Sequence, residues 1–522
     1  MTLQTKQQVI VPPPGSREHP LAYAERLGAW YSTQASEDYR KKLGIYFTPA
    51  SVARYMGSLC RNGTGHFVRV LDPAAGTGIL GCAASLALSA SAQPPRHIEL
   101  VAYEVDPDVR PLLEGCLHYL AQWLASSRIK LRFRIEPIDF LIANAASLER
   151  DLLSDDGPRF DAVICNPPYF KVAKSDPRAK ACLPVVHGQP NIYGLFMAVG
   201  ASLLREGGRF VFITPRSYAS GPYFQRFREF FFKKIRPTDV HVFQSRTDAF
   251  SDVLQETAIT AGSRLHNWDK RTVAQRIRLS SSTGAGDIES SAVRTLPLAE
   301  VLQGDCRHRV LSFPASKQHD RVRALVRKWS GSLEAYGWQV STGPVVAFRA
   351  KQFLQDRSGR HTVPLLWLQN VGSMLIRWPV ATRKAQHILA NDGASPIIVP
   401  NRNYVVLRRF SAKEEKRRLT AAPLLAKFFK YDKLGLENHL NFIHKPSGQL
   451  STDETYGVAA LLSSELFDTY FRISSGNTQV SATELRAMRL PPLPAISQIG
   501  KRVRAQPADL EAIVCEELGY GG

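Results

Sequence analysis

The chain has 522 residues, 44% of them hydrophobic and 22% charged. That length and balance suit a globular protein of several domains, able to bury a core without staples, and exclude a low-complexity or fibrous chain. Lys and Arg number 67 against 46 Asp and Glu, a formal net charge of +21 that suits a polyanionic partner such as nucleic acid.

The seven cysteines (Cys60, Cys82, Cys116, Cys165, Cys182, Cys306 and Cys515) form no C-x-x-C pair, which argues against a disulfide framework and a structural zinc site. Residues 1–15 lack a basic segment followed by an apolar run, so no signal peptide is expected. No uninterrupted apolar stretch approaches the roughly 18–20 residues that span a bilayer. The expectation is a cytoplasmic protein with no membrane contact.

From residue 67 to 262 short apolar runs alternate with longer amphipathic segments. Strands are predicted at 67–71, 98–103, 131–135, 160–165 and 210–213, and helices at 81–90, 107–125, 192–204 and 222–234. This is the signature of βαβ units and a mostly parallel sheet. A later pair, 240–243 and 255–262, would finish it. The Ser/Gly-rich stretch 280–291 reads as a turn or loop. A basic helical run at 317–329 precedes a change in composition, with the boundary between about 312 and 331. The expected division is a catalytic domain over 1–320 and a second domain over 331–522, where the alternation is lost.

Asp72-Pro73-Ala74-Ala75-Gly76-Thr77-Gly78 follows the first strand and opens a helix. The two glycines allow a sharp turn and close approach of a ligand, and the N–H groups at the helix start favour an anion. The next strand ends in Glu104, where an acidic side chain can hold a ribose diol; Asp106 is a rival. After the third strand, Asp139 could accept from a purine amino group while Phe140 packs on its face. The alternative is that Asp139 caps a helix and Phe140 is core.

The strongest signal is Asn166-Pro167-Pro168-Tyr169, at the end of the buried run 160–165. An exocyclic amino group is a poor nucleophile because its lone pair is delocalised. The Asn166 side-chain oxygen and the Pro167 carbonyl can accept both N–H groups and draw the nitrogen toward pyramidal geometry. Pro167 and Pro168 stiffen the turn and remove competing donors. Tyr169 offers a face on which a base can stack. Cys165 points away from Asn166 along the strand and reads as core.

These residues resemble the N6-adenine DNA methyltransferases of the γ arrangement, the TaqI-like and PstI-like modification enzymes, over most of the chain. The resemblance implies a Rossmann-like α/β sheet binding S-adenosyl-L-methionine, followed by a mixed target-recognition domain. In it, Gly44-Ile45-Tyr46-Phe47-Thr48-Pro49 is similar to an N-terminal motif whose threonine, here Thr48, contacts the cofactor's methionine carboxylate. Asp72, Pro73, Ala74, Gly76, Gly78, Glu104, Asp139, Phe140 and Asn166 would complete the cofactor contacts. The segment 240–261, with Arg246, Phe250 and Leu254-Gln255-Glu256, resembles a motif supplying a second aromatic against a flipped base, by position Phe250. Tyr193 and Phe196 match a helix beside the cofactor pocket.

Segments 340–349, 437–442 and 474–494, the last including Gly476-Asn477-Thr478-Gln479-Val480, resemble parts of the family's recognition domain. The clusters Arg408-Arg409 and Lys416-Arg417-Arg418 are phosphate contacts or a solvated face. Arg349, Asn401 and Arg402 are the candidates for base readout. Enzymes that methylate ribosomal RNA guanine or a protein glutamine share N-P-P-Y, and they are the rival reading. No P-D…(D/E)-x-K arrangement stands out, so a stand-alone, monomeric modification enzyme is expected, acting on double-stranded DNA and paired with a separate restriction endonuclease.

Overall fold

The computed structural model describes residues 11–36, 39, 47–61, 65–149, 159–243, 257–266, 275–303, 309–314, 316–411, 417–474 and 480–521. The chain divides into two compact units, Met1–Ala315 and Ser316–Gly522.

The first unit is built on β1 (Phe67–Asp72), β2 (His97–Tyr103), β3 (Lys130–Glu136), β4 (Phe160–Cys165), β5 (Leu204–Pro215), β6 (Ile235–Phe243), β7 (Thr257–Arg264), β8 (Arg276–Ser282) and β9 (Val293–Pro297). Among the described residues these form one nine-stranded sheet in the order β3-β2-β1-β4-β5-β7-β6-β8-β9. Strands β3 to β5 run parallel, and β7 inserts antiparallel between β5 and β6. Strand order reverses between β1 and β4, so a crevice opens at their carboxyl ends, where α/β sheets bind ligands.

Alternation along the strands fills two cores. Val70, Ala162 and Ile164 face the helices Ile79–Ser89 and Arg110–Ala125. Leu71, Val163 and Cys165 face Phe140–Asn144, Ile192–Leu203 and Gln225–Lys234. The five leading strands therefore lie where the apolar runs placed them.

The sheet does not finish with β6 and β7. The β8 sequence Arg-Ile-Arg-Leu-Ser-Ser-Ser buries Ile277 and Leu279, sets Arg278 against Asp239, and pairs parallel with β6. Ser280 and Ser282 hydrogen-bond the two ring nitrogens of buried His241 at 2.8 and 2.9 Å. A serine-rich run thus serves as strand because a histidine on the neighbouring strand satisfies its hydroxyls, a pairing that composition cannot show.

The second unit holds a four-stranded antiparallel sheet, ordered Gln339–Thr342, Leu440–His444, Tyr404–Arg408, Ala421–Leu424. Beside it lies a five-stranded sheet that includes Thr362–Leu366 and Lys433–Leu436. Helices Thr452–Ser463, Glu465–Ser474 and Leu493–Ala505 supply much of its apolar core.

Candidate active site

β1 stops at Asp72, which is fully buried; its Oδ2 accepts the Gly81 N–H at 3.1 Å. Burial pushes this carboxyl up to about 7, against the pull of the Ala74 and Gly81 N–H groups. The chain then turns through Gly76 (φ 54°) and Gly78 (φ 90°), conformations that a Cβ would strain. Gly76 donates its N–H to Glu104 Oε2 at 2.9 Å, and Asp106 donates to Oε1 at 2.8 Å. The carboxylate at the end of β2 therefore shapes the turn after β1. Burial also pushes Glu104 up to about 7.

A cavity of about 180 Å³ opens over this turn. Thr48, Pro73, Ala74, Gly76, Glu104, Asp139, Phe140 and Asn166 line it, eight of the ten residues expected to hold a cofactor. Asp72 and Gly78 sit outside its lining, as supports. A Cβ on Gly78 would meet Leu113 Cδ1 at 2.8 Å, so its place is against the Arg110–Ala125 helix. Asp106 also borders the cavity, but its Oδ2 accepts the Tyr31 hydroxyl at 2.7 Å and ties down the Pro20–Gln34 helix.

Asp139 and Phe140 take the cap and core positions. Asp139 Oδ1 accepts the N–H groups of Leu141 and Ile142, capping a short helix. Phe140 is 2% exposed, edge-on to Tyr103 and tilted against Phe196. Both still border the cavity, as does Phe196, whereas Tyr193 is buried behind it and bonded to Ser217.

β4 delivers Asn166 to the same crevice. Its Nδ2 donates to Thr48 Oγ1 at 3.1 Å, and its Oδ1 accepts the Tyr169 hydroxyl at 2.5 Å. Tyr169 also reaches the Ile213 carbonyl at 3.0 Å and lies edge-on to Tyr193. Pro168 lines the cavity, and the loop beyond is pinned where Ile192 donates to the Phe170 carbonyl at 2.9 Å. Cys165 is fully buried, and burial pushes its thiol up, as suits a core residue and not a nucleophile.

Residues 131–250 match the family model described as Eco57I restriction-modification methylase. The type II methyltransferase M.BsuBI of Bacillus subtilis is 34% identical over 473 residues, covering 89% of this chain and 90% of its own. M.PstI of Providencia stuartii is 32% identical over 478 residues, covering 90% of each. The chain belongs to the type II methyltransferase family.

The cofactor of this type II DNA methyltransferase is S-adenosylmethionine, and the donor set around the cavity fits it. A half-buried carboxylate at Glu104 suits a diol, the Thr48 hydroxyl suits a carboxylate, and Phe140 with half-exposed Ile138 offers an apolar wall to a purine.

Several lining residues had no functional reading in the sequence, Phe47, Phe170 and Arg178 among them. Phe47 neighbours Thr48 and belonged to a motif already singled out. Phe170 follows Tyr169 directly and Arg178 comes from the short helix Pro177–Ala181 beyond it, the Arg178 guanidinium lying over the Phe170 ring and doubly bonded to Asp176. Only the fold brings Arg178 to the cavity.

Phe250, Arg246, residues 254–256 and 476–479, and Lys416 lie outside the described residues, as do Gly44, Ile45 and Tyr46. In the second unit the structure corrects one expectation. Asn401 is no base reader: its Nδ2 donates to the carbonyls of Ala426, Phe429 and Tyr431 at 2.8, 3.1 and 2.8 Å, a commitment to holding a loop. Arg402 donates to the Gly448 carbonyl, and Arg349 is exposed with its guanidinium over Phe348. The basic clusters are largely pinned. Arg417 binds Glu511 and the Ser463 carbonyl, Arg418 is buried, and Arg408 and Arg409 donate to backbone carbonyls. Among the described residues no group of carboxylates, cysteines and histidines could hold a metal, and no helix is long and apolar enough to cross a membrane.

Proposed function

We propose that this type II methyltransferase methylates the exocyclic N6 amino group of an adenine rotated out of duplex DNA. The observation that carries the reading is the meeting of Asn166 with Thr48 at the edge of the cavity that also contains Glu104.

The bound cofactor supplies a methyl group made electrophilic by its sulfonium. The protein's part is to hold and aim the nucleophile. Asn166 Oδ1 and the Pro167 carbonyl accept the two amino hydrogens, localising the nitrogen lone pair. The amino group so held would accept that methyl and release one proton to solvent. Thr48, by accepting from Nδ2, keeps the oxygen of the Asn166 amide available to the base. Pro168 excludes a competing donor. Tyr169 and Phe250 are the proposed stacking partners of the extruded adenine, since a base cannot be reached inside the stack. Thr48, Glu104, Asp139 and Phe140 are the proposed cofactor contacts, with Pro73, Ala74 and Gly76 forming the turn beneath it.

The second unit would hold the flanking duplex and read its sequence, with Arg349 and Arg402 among its contacts. Its role would be protection of host DNA in the cytoplasm against a separately encoded endonuclease, with a monomer treating each strand in turn.

Purified protein, methyl-labelled cofactor and plasmid DNA test the reading. Mass analysis of the hydrolysed DNA should find N6-methyladenine, and Asn166→Ala should lose transfer while keeping cofactor binding. Label in ribosomal RNA or in a peptide glutamine, with duplex DNA unmarked, would overturn it in favour of the rival N-methyltransferases.

A further inference from the structure

In the second unit, residues 425–432 cross from the end of strand Ala421–Leu424 to the start of strand Lys433–Leu436, which lie in different sheets. The sequence here is Ala426-Lys427-Phe428-Phe429-Lys430-Tyr431-Asp432-Lys433: aromatic residues interleaved with three lysines and one acid. The crossing is held from beneath by two asparagines. Asn401 Nδ2 binds the carbonyls of residues 426, 429 and 431, the Asn401 N–H donates to the Asp432 carbonyl at 2.7 Å, and Asn403 Oδ1 accepts the Ala426 N–H at 3.0 Å.

So much hydrogen bonding fixes the segment in one shape, and that shape displays an apolar ring. Phe429 turns inward, 7% exposed, edge-on to Trp378 at 5.2 Å. Phe428 turns outward and is 47% exposed, its ring only edge-on to Phe429 at 4.8 Å. Between them Trp378, Phe428, Phe429, Lys430 and Tyr431 line a shallow cleft of about 590 Å³. Lys427 and Lys430 are both exposed, and neither pairs with a carboxylate among the described residues.

We infer that the 426–433 crossing is a DNA-contacting element, in which Phe428 packs against the bases or sugars of the duplex while Lys427 and Lys430 neutralise flanking phosphates. A rigid exposed ring costs little ordering entropy on binding, and aromatic faces between cations suit a nucleic acid strand. Charge selects this occupant over a second copy of the chain, which carries the same net positive charge. The inference rests on the reading of the chain as an enzyme of duplex DNA, and it gives Asn401 a purpose: it builds the element without touching the bases.

The test is fluorescence anisotropy with a labelled duplex containing the methylated site, the full chain and saturating cofactor, over a series of salt concentrations. Phe428→Ala should weaken binding about 10-fold. Lys427→Gln with Lys430→Gln should lower the salt slope by about 2, because each phosphate contact releases roughly one counterion. These lysines are surface residues, so that variant keeps the test open should Phe428→Ala lower the melting temperature. Wild-type affinity and salt slope in both variants would overturn the inference and leave the enzymatic reading intact. Failure of the wild-type chain to bind any duplex would overturn both. A concentration-dependent dimer that Phe428→Ala abolishes, with DNA binding unchanged, would assign the patch to self-association and overturn the inference too.

Discussion

The Tyr169 hydroxyl donates to Asn166 Oδ1 across 2.5 Å, occupying one acceptor site of the amide proposed to grip the substrate amino group. The two side chains are three residues apart, and the intervening prolines allow the ring to fold back along the loop. An incoming amino group would share the amide oxygen with this hydroxyl or displace it.

Tyr169→Phe removes the competitor and keeps the stacking face. Its kcat/KM for DNA should be equal to wild type or up to about 5-fold higher, the scale of one net hydrogen bond. Tyr169→Ala should lower kcat/KM at least about 10-fold by deleting the face. Steady-state methyl-transfer kinetics decide it: a phenylalanine variant as impaired as the alanine variant would mean that the hydroxyl is required and not displaced.

Thr48 holds the other end of the same amide, 118 positions earlier in the chain. Thr48→Val keeps the volume but removes the acceptor of Asn166 Nδ2, leaving the amide free to flip its oxygen away from the base. A kcat loss of about 10-fold is expected, with Thr48→Ser restoring it within a few-fold. If serine and valine behave alike, the hydroxyl does not orient Asn166.

Glu104 gives a pH signature. Burial raises its carboxyl to about 7, so the cofactor-free protein keeps this proton up to near neutrality, whereas a ribose diol is best held by the ionised acceptor. Cofactor affinity should therefore fall as pH drops through 7 and level off above it, with proton release on binding. Calorimetry in buffers of different ionisation enthalpy measures both. Glu104→Gln should flatten the profile and weaken binding about 10-fold at pH 8. An unchanged pH dependence in that variant would place the titration elsewhere.

Asn401→Ala strands several loop carbonyls at once and should destabilise the protein by about 2–3 kcal/mol. The methylated motif, read by single-molecule sequencing of host DNA, should stay the same. A relaxed motif at unchanged stability would restore Asn401 as a base reader.

Asn166, Pro167, Pro168 and Tyr169, the glycine turn and Glu104 were legible in the sequence because each depends on local chemistry. A buried strand needs a contiguous apolar run, and a left-handed turn needs glycine. The five leading strands followed from the same periodicity. What the sequence withheld depends on partners far along the chain. Ser280 and Ser282 look like loop residues until His241 satisfies them, and Asn401 looks like a base reader until three carbonyls claim its amide. Polar side chains declare a role only through what they bond to, and only tertiary structure chooses the partner. Apolar patterning and glycine turns act within a few residues, so the sequence determined them by itself.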